Sequence, residues 1–267
     1  MSSNFSRTSM NKKNTTLNIL KENFDSFRND EPTILAQKKY SSSFIEVRKS
    51  MLNWLIFLCE KLNFNVQTLF RSITIFDLYM TAKYENYSQN ELNLIAIACL
   101  SLSTKIEEIN CNYISFLNEK VLNTPDEHIY TNKDLTKMEF KILKELNYKI
   151  IYSTPFDFIE IYIEILRNVL NQKRSTNNND VSEDWIITIK NLAINLLKNN
   201  VVNEVFMENT YSSFAYICFI QVITQYYKII PLEFNEILFG FNCNCDMKNN
   251  KNEKSSIPVN MLTLRSL

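Results

Sequence analysis

Residues 89–108 read QNELNLIAIACLSLSTKIEE, and this stretch decides the fold class. Leu92, Leu94, Ile95, Ala96, Ile97, Ala98, Cys99, Leu100 and Leu102 point in every direction round a helical axis. A helix apolar on all sides is buried on all sides. Its small residues, Ala96, Ala98, Cys99, Ser101 and Ser103, let neighbouring helices approach closely, so the stretch predicts the central rod of a helical bundle.

Amphipathic patterns lie on both sides of it. Upstream, residues 43–62 place Val47, Met51, Trp54, Leu55, Leu58 and Leu62 on one face, and residues 66–84 do the same with Leu69, Ile73, Phe76 and Met80. Downstream, a short helix is expected over 113–122. Another begins at Thr131, with Asp134 three residues on as a capping-box partner, and runs to about residue 147.

Thr154, Pro155 and Asp157 then combine an N-cap, a first-turn proline and an early acid. Helices over about 154–166, 183–199 and 204–228 follow, with a last short one over 231–238. The run Phe214, Ala215, Tyr216, Ile217, Cys218, Phe219 and Ile220 is the apparent counterpart of the first apolar rod. The expected architecture is all-α: two successive five-helix bundles, each round a buried central helix. Residues 1–30 are expected to form a mobile polar tail, 31–150 the first bundle, 151–245 the second, and 246–267 a C-terminal tail.

Composition removes several function classes. One glycine in 267 residues, Gly240, leaves no GxGxxG turn and no P-loop. One histidine, His128, leaves no multi-histidine zinc site and no ordinary nucleophile–histidine pair beyond what that residue alone could serve. Lys and Arg total 29 and so do Asp and Glu, so no net charge attracts nucleic acid or an anionic membrane. Cys59, Cys99 and Cys218 fall inside apolar helical patterns, where free thiols act as small hydrophobes, and Cys243 and Cys245 match no metal-ligand spacing. Neither a leader peptide nor a membrane span is visible, so a soluble intracellular protein, nuclear or cytoplasmic, is expected, with no cofactor, no metal, no small-molecule substrate and no catalysis.

Two charges fall where the pattern wants apolar groups. At about 100° per residue, Arg48 flanks the apolar face of its helix beside Leu55, and Asp77 lies among Leu69, Phe70, Ile73 and Met80. Either the two meet as a buried pair or each reaches solvent along its own stem. The helix beginning at Thr131 has three faces. Leu135, Met138, Ile142 and Leu146 form a core face, Lys133, Lys137, Lys141 and Lys144 look the opposite way, and Phe140 with Leu143 forms a second apolar strip bordered by Glu139. That strip fits a docking site for a partner, or a contact beneath a loop or the second bundle.

The stretch from Val47 to Ile150 resembles the cyclin box. The matching residues are Val47 to Leu55, Ile75-Phe76-Asp77, Leu102 to Ile109, Lys137-Met138-Glu139, Ile142-Leu143 and Leu146-Asn147-Tyr148, with Ser153-Thr154-Pro155-Phe156 similar to the entry into a second box. The resemblance implies that Arg48 and Asp77 are an internal ion pair. It also implies that Lys105 and Glu139 grip the backbone of a cyclin-dependent protein kinase, an ammonium donating to carbonyls and a carboxylate accepting from amides. Ile106, Glu108, Ile109, Phe140, Leu143, Tyr148 and Ile150 would form the surface against which the kinase C-helix rests. The implied role is that of a regulatory subunit that pushes that helix inward, in cell-cycle progression or transcription.

The resemblance has departures. The family's substrate-docking patch falls at Val47, Met51 and Trp54, with Ser50 among them and Phe57 where an acid is usual. Lys21-Glu22-Asn23 resembles a KEN degradation signal. Two other readings share the fold: a transcription-factor-like protein that holds DNA, and a helical adaptor without kinase activation. Nucleic acid is the less expected partner because the chain is neutral and has no paired cysteines before Cys59.

Overall fold

A computed structural model describes residues 3–32, 40–83, 85, 87–109, 130–174 and 183–227. The described residues form helices and no strand. In chain order these are α1 (Ser3–Asp30), α2 (Ser42–Lys61), α3 (Val66–Ala82), α4 (Gln89–Glu107), α5 (Asn132–Glu145), α6 (Pro155–Arg174), α7 (Glu183–Asn200), α8 (Glu204–Met207) and α9 (Tyr211–Tyr227). The helices expected over 113–122 and 231–238, His128 and the tail 246–267 lie outside the described residues.

Helix starts follow the local chemistry of the sequence. Ser88 and Glu91 form a reciprocal capping box at α4, and Thr131 and Asp134 form another at α5. At α6 the Asp157 carboxylate accepts from the Thr154 amide at 2.7 Å and from its hydroxyl at 2.8 Å, just ahead of Pro155. In a chain with one glycine, asparagine takes left-handed backbone at Asn63 after α2, φ 55°, and at Asn147 after α5, φ 50°.

The central rod differs from the expected one. In α4, Leu92 and the run from Ile95 to Thr104 are buried, but in α3 every residue from Thr68 to Thr81 is buried. Helix α3 packs against α2, α4, α5 and α6. Its polar side chains disguise this in sequence because each finds a partner internally. Ser72 donates to the Leu69 carbonyl at 2.7 Å, Thr74 donates to the Phe70 carbonyl at 2.9 Å, and Arg71 and Asp77 are ion-paired.

In the C-terminal part α6, rather than α9, has the widest contacts, touching α1, α3, α7 and α9. The segment expected as one helix over 204–228 divides into α8 and α9, with Phe206 stacked on Tyr211 across the break at a centroid separation of 5.4 Å.

Within the stretch expected as a mobile tail, residues 3–30 are helical. They form α1, which packs on α6: Phe24 meets Phe158 edge-on at 5.8 Å and Phe27 meets it at 6.2 Å. The apolar residues are few, but Leu20, Phe24 and Phe27 recur at i, i+4 and i+7 and so share one face, and Leu20 and Phe24 are buried. Where α1 ends, the buried Glu31 carboxylate accepts from the Ser212 amide and hydroxyl, both at 2.8 Å, and so satisfies the start of α9. Burial pushes that carboxyl above its ordinary value, and the Ser212 bonds and Arg28 pull it back in part.

Arg48 joins the two parts of the chain. Its Nε and Nη2 donate to the two oxygens of Asp77 at 2.8 and 2.9 Å, and its Nη1 donates to the Val201 carbonyl at 2.9 Å, beyond the end of α7. The guanidinium also lies 5.2 Å from the centre of the Phe206 ring. Removing one member of a buried pair strands the other, so Arg48→Ala is expected to cost about 3–5 kcal/mol. The double replacement Arg48→Met with Asp77→Leu should recover about half of this, leaving about 1–3 kcal/mol for the orphaned Val201 carbonyl. Urea midpoints of the three proteins measure it, and a double variant no better than the single one would contradict the account.

Candidate functional site

The C-terminal end of α4 and one side of α5 converge on a small polar centre set in an apolar surface. Lys105 Nζ lies 2.6 and 2.7 Å from the two carboxylate oxygens of Glu139, and the Ser101 hydroxyl donates to the first of these at 2.6 Å. The carboxylate is buried, whereas the lysine side chain is 41% exposed. Periodicity explains the asymmetry: Glu139 borders the core face that carries Leu135 and Ile142, while Lys105 occupies the last turn of α4, where a cation also suits the helix dipole.

Round this centre the chain leaves apolar side chains uncovered. Phe140 is 57% exposed, Ile109 99% and Tyr148 61%, and Ile106 is also exposed. Leu143 is half-buried against the core. Tyr148 is held with φ 59°, a left-handed conformation that costs a residue with a Cβ, and its amide donates to the Leu143 carbonyl at 2.7 Å to close the end of α5. That turn carries the tyrosine ring outward beside the shelf.

Two residues of the sequence-derived surface sit differently. The Glu108 carboxylate accepts from the Asn65 amide and side-chain amide, both at 2.8 Å, and from the Thr68 hydroxyl at 2.6 Å. It therefore caps the start of α3 instead of lying open. Ile150 packs against the core, and its neighbour Ile151 is 64% exposed in its place. Past the α5 turn one of the two neighbouring isoleucines packs inward and the other does not. Nothing in the sequence distinguishes the two. Ser101 was also missed, being hidden among the small residues of α4.

A second ion pair supports the shelf from behind. Arg71 of α3 bonds Glu107 at the end of α4, and its Nη1 donates to the Tyr152 carbonyl at 3.1 Å. One buried side chain thereby fixes the end of α4 to the connection between α5 and α6.

The other sequence-derived residues lie elsewhere. On α2, Met51 is buried, Val47 and Trp54 are half-buried, Ser50 and Phe57 are exposed, and Lys61 Nζ sits 5.7 Å over the Phe57 ring. With Met51 in the core, the three do not form one open patch. Lys21, Glu22 and Asn23 are exposed on the surface of α1. Among the described residues, no helix is long and apolar enough to cross a membrane.

Residues 17–151 match the sequence profile of the family described as "Cyclin, N-terminal domain". The chain belongs to the cyclin family. The G1/S-specific cyclin-E1 of Danio rerio is 32% identical over 120 residues, which is 45% of this chain and 28% of that protein. The G2/mitotic-specific cyclin-A of Hydra viridissima is 29% identical over 146 residues, 55% of this chain and 32% of the other. Cyclin-D5-1 of Arabidopsis thaliana is 26% identical over 141 residues, covering 51% and 39%. This cyclin thus aligns with well under half the length of these curated relatives.

A viral cyclin from herpesvirus saimiri shares the fold, with a TM-score of 0.60 at 17% identity over 84% of this chain and 88% of that one. The profile match takes in α2 to α5 whole, together with the last part of α1. Both Lys105 and Glu139 lie inside it.

The caps that position α4 and α5 are titratable. Hydrogen bonds from Ser88 hold Glu91 below its ordinary value of 4.5, and hydrogen bonds from Thr131, aided by Lys137 and Lys133, hold Asp134 below 3.8. A depressed folded-state value stabilises above the ordinary value and is lost as pH falls through the folded one. Acidification below these values is therefore expected to fray the first turns of α4 and α5 before the core opens. Amide exchange read at residues 89–92 and 132–135 checks this, and uniform loss of protection along both helices would count against it.

Proposed function

We propose that this cyclin is a regulatory subunit that docks on a cyclin-dependent protein kinase through the shelf of α4 and α5. The chain itself carries out no chemistry. Lys105 and Glu139 serve as a clamp: the ammonium donates to partner carbonyls and the carboxylate accepts from partner amides. In the free chain the two groups satisfy each other at 2.6 Å, so neither is left unpaired before docking. A partner backbone takes over the outward hydrogens of Lys105, while Ser101 continues to hold Glu139 in place.

One observation carries this reading. Phe140 and Ile106 adjoin the paired clamp in sequence, Ile109, Tyr148 and Ile151 follow the ends of the same two helices, and all five are exposed. Among the described residues, only Ile19, Phe57 and Ile187 are large apolar side chains exposed elsewhere. An apolar surface with a few fixed polar groups at its centre is the ordinary anatomy of a protein interface. Phe140 and Tyr148 supply the aromatic anchors. Pressing the kinase C-helix against this shelf moves it toward the active site, where its glutamate pairs with the phosphate-binding lysine, so activation follows from a population shift in the kinase. The G1/S-specific and G2/mitotic-specific names of the relatives support a role in cell division over one in transcription.

Phe140 is exposed, so Phe140→Asp removes an anchor without opening the core. Capture of cyclin-dependent kinases from extract, followed by histone phosphorylation, should show at least a tenfold loss for Phe140→Asp and for Lys105→Ala. Circular dichroism should be unchanged in both and melting unchanged in Phe140→Asp, whereas Lys105→Ala leaves the buried Glu139 carboxylate to Ser101 and melts somewhat lower. Alanine replacement of interface anchors usually costs about 2 kcal/mol or more, which is about thirtyfold. Full kinase stimulation by both variants would remove the shelf from the mechanism.

A further inference from the structure

Helix α5 carries a feature that docking through the shelf does not use. Lys133, Lys137, Lys141 and Lys144 are all exposed. At 3.6 residues per turn they fall within about 80° of arc and extend along about 16 Å of the helix. None of the four makes an ion pair among the described residues, although the chain as a whole holds as many acids as bases.

The acids of the same helix are all engaged elsewhere. Glu139 is bound by Ser101 and Lys105, Glu145 lies 3.8 Å from Lys83, and Asp134 is taken up in the Thr131 capping box. Glu91, the carboxylate of α4 that feels Lys141, is likewise held by Ser88. Lys141 itself sits 5.7 Å over the ring of Tyr87. Asp134 and Glu91 keep their charges and offset part of the field of Lys133, Lys137 and Lys141, but none of the four ammonium groups is taken up in an ion pair and they remain open in a row.

Phe140 lies about 20° from Lys133 round the axis, so the apolar shelf runs without a gap into the basic row. We infer that the basic row of α5 is a second docking element that takes an acidic peptide segment, one with carboxylates at alternate positions, carried by the protein seated on the shelf. The four-residue steps from Lys133 to Lys137 and Lys141 rise by about 6 Å each, close to the roughly 6.7 Å between alternate side chains of an extended peptide, and the last step to Lys144 by about 4.5 Å. Nucleic acid fits less well. A run of bases needs several stacking platforms, and the row has one exposed aromatic at its edge, Phe140. The charge pattern stands without the kinase reading, and only the adjacency to the shelf rests on it.

The test uses the full chain and a fluorescein-labelled peptide of alternating Glu and Ser, read by anisotropy. Binding should weaken steeply as salt rises and fall roughly tenfold or more for Lys137→Glu with Lys144→Glu. The neutral pair Lys137→Gln with Lys144→Gln should give a smaller loss in the same direction. Lys49→Glu with Lys61→Glu, an equal charge change on α2, should leave binding as it was. Lys105→Ala should also leave it intact, which separates this site from the kinase clamp. Equal losses for the α2 and α5 variants would reduce the effect to net charge and overturn the assignment. Displacement of the peptide by a single-stranded oligonucleotide at lower concentration than by unlabelled peptide would overturn it in favour of nucleic acid.

Discussion

A single guanidinium ties the molecule together. Arg48 projects from α2 into a space from which water is excluded, and such a charge can stay only if its donors are satisfied. Asp77 takes two of them, and the Val201 carbonyl takes a third from 153 residues away in sequence. The pair therefore does more than neutralise itself. It fixes α2 against α3 and both against the end of α7, and the planar fork of arginine does this with a directionality that lysine lacks.

The same economy recurs along α3. A helix buried from Thr68 to Thr81 would ordinarily be read from unbroken apolar character, yet this one includes Arg71, Ser72, Thr74 and Asp77. Arg71, Ser72 and Thr74 each donate to a carbonyl or a carboxylate, and Asp77 accepts from Arg48. Arg71 is the functional counterpart of Arg48: one holds the two parts together, and the other holds the end of α4 and the α5–α6 connection in place behind the shelf. Lys105, Glu139 and Phe140 thus stand on helices, and Tyr148 on the hydrogen-bonded turn that closes α5, a backing that suits the proposed docking surface.

Much of this was legible in the chain. The capping residues Thr131 and Asp134, the Thr154-Pro155-Asp157 start and the three-faced character of α5 are local features, and local features survive into the fold. The opposite charges of Arg48 and Asp77 could be placed on core-facing sides from periodicity alone. What failed did so for physical reasons. Counting apolar residues in the first 30 misjudged α1, because three of them on one face are enough when α6 supplies a complementary surface. The capping role of Glu108 was hidden because side-chain type does not reveal that Asn65 and Thr68 lie within reach.

The sequence by itself determined an all-helical chain, most of its helix starts, the separation of basic and apolar faces on α5, and the cyclin resemblance over α2 to α5. These depend on spacing, which a linear string records in full. Tertiary structure alone decided that α3 has the longer unbroken buried run, from Thr68 to Thr81, that α1 is docked, that Ile151 is more exposed than Ile150, and that Arg48 reaches Val201. Each of those outcomes depends on which distant group supplies the missing hydrogen bond or apolar wall, and that is a property of packing.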